Sequence, residues 1–208
     1  MQDFAVSTNN EPEKPRHWPA RFTVASGTNL KNGKETTMSP QTIFLLQFIL
    51  SLAVFATIAR LYAAPWLAGM SAATALTILI LPHAFRHIGL SFLVPNLNNG
   101  AMPEFFADTA GYGDLAAAML AMAAIVALRW RAKMTLPLIW VFNVVGFVDL
   151  LNALRQVEVI DHFGATWFIP TFLVPLLLVT HVMIFVVLLK RGRPYDLFAG
   201  FIGGPRSL

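Results

Sequence analysis

His83, Arg86 and His87 read His-x-x-Arg-His inside one long apolar run, and Asp149, Asn152 and Gln156 stand inside another. Side chains that ionise are costly in such surroundings unless they face inward and meet partners of complementary chemistry. At about 100° per helical residue, the first three share an arc of roughly 100° and the second three an arc of about 60°. Asp114 closes Gly111-Tyr112-Gly113-Asp114, expected at the opening of a third run. Counting rise from the run ends, His87, Asp114 and Asn152 fall within roughly 10 Å of one surface, with His83 and Asp149 about a turn deeper. The expectation is an outward-opening polar pocket built from His83, Arg86, His87, Asp114, Asp149 and Asn152, in which Arg86 is neutralised by Asp149 or Asp114. Asn143 and His181 lie deeper, at similar heights, and are expected to hydrogen-bond each other.

Other chemistry is weighed against that pocket. His83 and His87 at i, i+4 can chelate a metal ion from one helix turn, with Asp114 or Asp149 as a third ligand; a structural polar cluster is the simpler reading. A bis-histidine haem needs ligands on opposing helices, and His83 and His181 would differ in height by about 7 Å on straight helices. Gly111-Tyr112-Gly113-Asp114 resembles the G-x-G-D signature of intramembrane aspartyl proteases, with Asp149 as the implied partner carboxylate. In those families the partner precedes the motif, and here it follows; a helix-opening turn is the plain alternative. No phosphate-cradling Gly-rich loop, H-E-x-x-H or G-x-S-x-G is present, and the absence of cysteine excludes thiol catalysis and disulfides. No cofactor is implied beyond the metal alternative, and an enzyme is the less favoured class.

The elements that must position these groups are transmembrane helices. A hydrocarbon core of about 30 Å needs ~20 helical residues, and five runs qualify: Thr42–Ala63, Gly69–Phe92, Thr109–Trp130, Thr135–Gln156 and Thr166–Lys190. Charged residues are only 12% of the chain, too few to solvate a globule of this length. The fold class is therefore all-α: a five-helix integral membrane bundle over residues 41–192, with a polar disordered tail at 1–40 and a short cytoplasmic tail at 193–208. Met38, just before the first run, is an alternative start. Of fifteen Lys and Arg, all but Arg86 lie in tails, connections or near run ends. They read as anchors for the lipid bilayer, and no basic stripe with interleaved aromatics suggests nucleic acid.

Six positive charges flank Arg129–Lys133 and Lys190–Arg193, whereas the opposite connections hold Glu104, Asp108, Glu158 and Asp161. The positive-inside rule then puts the C-terminus in the cytoplasm and the N-terminus outside. Five Lys and Arg in the tail argue the other way. Trp66, Trp130 and Trp167 fall at run ends, as interfacial aromatics do. Gly113, Ala117 and Ala121 give the third helix a flat face for close packing, which makes it the expected hub. Pro82, Pro170 and Pro175 interrupt the second and fifth helices.

Residues 81–90 (LPHAFRHIGL), 111–115, 142–150 with Asn143 and Asp149, and Ile169-Pro170-Thr171 running on to Thr180-His181 together resemble a group of small bacterial membrane proteins without assigned function. The likeness spans roughly residues 42–190 and implies a bacterial inner membrane, in which the positive-inside rule expects the N-terminus in the periplasm. The function expected from the residues is binding of a small polar molecule or ion by a transport-associated, sensor or accessory subunit. Its partners would be a membrane protein or a second copy. The alternatives are a membrane enzyme and a purely structural subunit.

Overall fold

The structure is a computed structural model and describes residues 38–191 of the 208-residue chain. The polar tail upstream of Met38 and the C-terminal tail from residue 193 fall outside these residues. The described residues are helical and contain no strand. Five helices are long and apolar enough to cross a membrane: α1 (Pro40–Ala68), α2 (Ala72–Leu93), α3 (Glu104–Trp130), α4 (Thr135–Leu154) and α5 (Ala165–Lys190).

Two Ser-x-x-Thr segments open the first two helices. Ser39 accepts from the Thr42 N–H, with Pro40 at the first helical position, and Ser71 accepts from the Thr74 N–H. Each satisfies a donor that the first turn would otherwise leave without a partner. The first helix does not stop at Ala63 as expected. A π turn over Ala59–Ala63 carries it past Pro65 to Ala68, the wider turn accommodating a residue that has no N–H to give. A matching π turn over Ile169–Leu173 absorbs Pro170 ahead of Pro175 in α5.

The largest departure from regular helix is in α2. Ala72–Ile80 is α-helical, but Leu81–Leu93, thirteen residues, is a 3₁₀ helix. Runs of that kind beyond about four residues are uncommon. Pro82 removes the hydrogen bond an α-helix would direct to Ile78, which accounts for the switch at this point. The buried residues that follow are His83, Arg86, Gly89 and Phe92, one every third position, so the segment presents a single straight stripe to the bundle.

The third helix starts at Glu104, five residues ahead of Thr109, with Glu104 at the positive end of its dipole. Its buried face runs from Phe106 through Ala110, Asp114, Ala117, Ala121 and Ala124 to Leu128. Alanine and glycine let it lie close against the 3₁₀ segment and α4. The α3–α4 connection is tight: Arg131 takes a left-handed conformation (φ 53°), and the buried Thr135 hydroxyl donates to the carbonyls of Ala127 and Ala132.

An apolar cluster of Leu150, Val174, Leu177 and Leu178 lies along α4 and α5, and two more mark the ends of the interior. One, with Leu76, Ile80, Ala121, Ile139, Phe142 and Ile184, fills the end where α3 joins α4. The other, with Phe92, Phe106, Ile160, Phe163 and Ile169, fills the opposite end under the connections at 94–103 and 155–164. Those connections are locked together. Asn99 N–H donates to the His162 carbonyl (2.9 Å), and the Thr166 hydroxyl donates to Asn98 Oδ1 (2.9 Å). The first helix is peripheral, burying 6% of its most apolar stretch against 28–44% in the others.

Candidate functional site

Between the two apolar clusters sits a buried ion group. Arg86 is 1% exposed, and its guanidinium reaches three places on two neighbouring helices. Nε donates to Asp114 Oδ1 (2.7 Å), Nη2 lies 2.6 Å from the same oxygen and 2.5 Å from Asp149 Oδ2, and Nη1 donates to the Gly146 carbonyl (3.1 Å). Every nitrogen of the planar fork is therefore engaged. The expected choice between Asp114 and Asp149 resolves into both.

Glycines make room for this arrangement. A Cβ on Gly89 would collide with the Asp114 carboxylate, and one on Gly113 with the Asp149 carboxylate. A Cβ on Gly146 would lie 2.9 Å from His181 Cε1 and 3.0 Å from Arg86 Nη1. Gly113 thus does not bend a helix opening, as the plain reading of Gly111-Tyr112-Gly113-Asp114 supposed. The motif lies well inside α3, which begins at Glu104, and Gly113 is a point of close approach. Nor do the carboxylates form an aspartyl dyad: a guanidinium occupies the place where two such groups would share a proton.

One layer deeper, toward the α3–α4 connection, His83 and His181 are both fully buried, with ring centroids 4.1 Å apart. His181 Nδ1 bonds Asn143 Oδ1 (2.7 Å) while Asn143 Nδ2 donates to the His181 carbonyl (3.2 Å), a reciprocal pair across α4 and α5. The Thr180 hydroxyl donates to backbone carbonyls in its own helix, so it accepts from His83 Nε2 (2.9 Å). By this network each imidazole carries its proton on the bonded nitrogen. His83 Nδ1 and His181 Nε2 are then lone-pair acceptors with no donor among the described residues. The height difference expected between the two rings assumed α-helix throughout. Ten residues of 3₁₀ pitch put His83 about 20 Å from the Leu93 end rather than about 15 Å, level with its partner. Rings in contact leave no gap for a porphyrin.

Two expected members are absent from the cluster. His87 is exposed, its Nδ1 bonded to the Ala84 carbonyl (2.9 Å). On a 3₁₀ helix, at about 120° per residue, position i+3 lies directly in line with i and position i+4 swings to the flank. His83 and His87 therefore point apart and cannot share a metal. Among the described residues no three His, Asp or Glu side chains gather as a ligand set. Asn152 is also exposed. Asp149 already stands about 75° from the centre of the buried face of α4, and Asn152 about 135°. Gln156, beyond the end of the helix, takes its place near the site.

Over the ion group, under the 155–164 connection, lies a cavity of about 50 Å³. Asp114, Asp149 and Gln156 supply its polar lining, and Phe44, Phe92, Phe106 and Phe163 stand among its apolar walls. The Asp149 side chain is 25% accessible and Asp114 12%, while Arg86 is sealed beneath them. Sequence reasoning missed Thr180, Gly89 and Gly146. Thr180 had a signal, a polar residue beside His181 in an apolar run; the glycines acquire meaning only when the neighbouring helix is in place.

A family model described as a domain of unknown function, DUF8737, matches residues 43–189. No curated protein and no solved structure matches the chain.

Proposed function

The chain belongs to the DUF8737 family, whose description names no activity, and we propose from the site that it is a membrane protein that binds a small monovalent cation. Five apolar helices support the membrane setting, as do the many large apolar side chains left on their outer faces, such as Leu45, Val54, Val144 and Val182. Positive charge collected at the α3–α4 end supports a cytoplasmic location for that end and an outward-facing cavity. The resemblance to small bacterial membrane proteins adds the inner membrane. A transport-associated, sensor or accessory role fits such a site.

One observation carries the reading: a single guanidinium is shared by two carboxylates in the bundle interior. One positive and two negative charges leave the group one positive charge short. An unbalanced buried charge costs several kcal/mol. The cavity exceeds several-fold the roughly 10–15 Å³ that one water requires, so an ion with part of its hydration fits above Asp149.

Purified protein melted in matched ionic strengths of Li⁺, Na⁺, K⁺ and the bulky N-methylglucamine cation tests this. The wild type should gain several degrees with one or more small cations, saturably. Asp149→Asn, already neutral at the triad, should melt at least as high in N-methylglucamine and respond to none. A wild type indifferent to every cation, with Asp149→Asn merely less stable, would leave the triad as interhelical glue.

A further inference from the structure

At the end of the bundle away from the ion group, α1 parts from α4 and α5. The groove between them has a volume of about 660 Å³, within the range of roughly 300–1,000 Å³ typical of ligand sites. Ala56, Ala59, Ala64 and Ala68 form a shallow trough on α1, their spacing carried across the π turn, and Val182 and Val186 face them from α5. Polar contacts tie the start of α1 to the bundle, where Gln41 donates to Asp161 and Gln47 accepts from the Trp167 indole; Phe44 meets the Phe163 and Trp167 rings, Phe55 meets Phe172, and Leu67 is buried at the far end, so the groove is bounded above and below.

The groove has two polar lining residues, and both are cations, Arg60 and Lys190. Both are exposed, and neither has a carboxylate partner among the described residues. Arg60 lies about 12 Å short of the α1 end by helical rise, a depth at which a cation without a counter-charge is costly. The described chain cannot supply that counter-charge. Its six acids are Glu104, Asp108, Asp114, Asp149, Glu158 and Asp161, all in the ion group or at the opposite end. A second copy packed in parallel would bring only more cations. An apolar trough running along the helices and carrying two positive charges has the complement of one amphiphile, an anionic lipid.

The geometry points to a site for one anionic phospholipid, with an acyl chain along the alanine trough and the phosphate held by Arg60 and Lys190. Two basic side chains near a headgroup favour an anionic over a zwitterionic lipid by roughly tenfold or more. Native mass spectrometry of the full-length protein, titrated with phosphatidylglycerol or phosphatidylcholine of identical chains, measures this directly. The wild type should retain one phosphatidylglycerol with at least that preference. The double variant Arg60→Gln, Lys190→Gln should bind the two lipids equally, while an unchanged melting point shows the fold intact. Ala59→Trp, which fills the trough, should exclude both lipids. Equal retention by the wild type, or a preference that survives the double variant, overturns the site. Asp149→Asn should bind lipid as the wild type does, so this result and that of the cation experiment fail separately.

Discussion

Arg86 joins three helices through one planar group, and the identity of that group should matter more than its charge. Lysine offers a point charge that cannot reach Asp114, Asp149 and the Gly146 carbonyl together. Arg86→Lys should therefore cost about 2 kcal/mol, and Arg86→Met, which strands two buried carboxylates, about 3–5 kcal/mol; unfolding in detergent compares them. The glycines give a graded companion test. Gly89→Ala and Gly113→Ala push a methyl into a carboxylate and should lower the melting point markedly. Gly111→Ala meets the Leu93 side chain at 3.3 Å and the Gly89 carbonyl at an ordinary 3.6 Å, and should be far milder. Equal effects at all three positions would contradict the close approach described here. His83, Arg86, Asp114 and Asp149 were legible as a cluster because charge at membrane depth has few places to go. His87 and Asn152 were not separable from them without knowing the pitch of one helix and the buried direction of the other.

The helices themselves were readable from the length and apolarity of each run, and their ends less so. The first run looked complete at Ala63, yet a π turn over Ala59–Ala63 leads the helix on past Pro65; Glu104 and Asp108 looked like a connection and open α3. Proline announced a break at position 82 but not its form, since a kink, a π turn and a 3₁₀ run all relieve the missing N–H. At the end away from the α3–α4 turn, the 155–164 connection forms the roof of the cavity, and Gly164 is where it touches the 94–103 connection. A Cβ there would stand 2.8 Å from the Asn98 backbone carbon and 2.9 Å from the Asn99 nitrogen. Gly164→Ala should force the two connections apart, cost about 1–3 kcal/mol, and open the cavity. Because the chain has no cysteine, a single Ala153→Cys, on the cavity wall, reports this cleanly: thiol labelling should be several-fold faster in the Gly164→Ala background.

For the molecule as a whole, the charge distribution makes a topological prediction. Arg60, Arg129, Arg131, Lys133 and Lys190 lie toward one end, and Glu104, Asp108, Glu158 and Asp161 at the other. In intact cells a membrane-impermeant thiol reagent should label Asn99→Cys and spare Lys133→Cys until the membrane is opened. The reverse pattern would invert the bundle and turn the cavity toward the cytoplasm. The same polarity separates the two proposed sites, an acidic one near one surface and a basic, lipid-facing one near the other. The hub expected in α3 is shared with α5, whose apolar stretch is the more buried of the two, 44% against 39%.

The order of residues alone determined that five apolar helices form and that their few ionisable groups must seek one another. Both follow from local hydrophobicity and from the cost of charge in a medium that cannot solvate it. Tertiary structure decided which of those groups meet. The 3₁₀ pitch after Pro82 aligned His83 with Arg86 and turned His87 away, while glycines on facing helices set how near two carboxylates could come to one arginine. Such distances depend on several backbones at once, and no single helix carries that information in its own pattern.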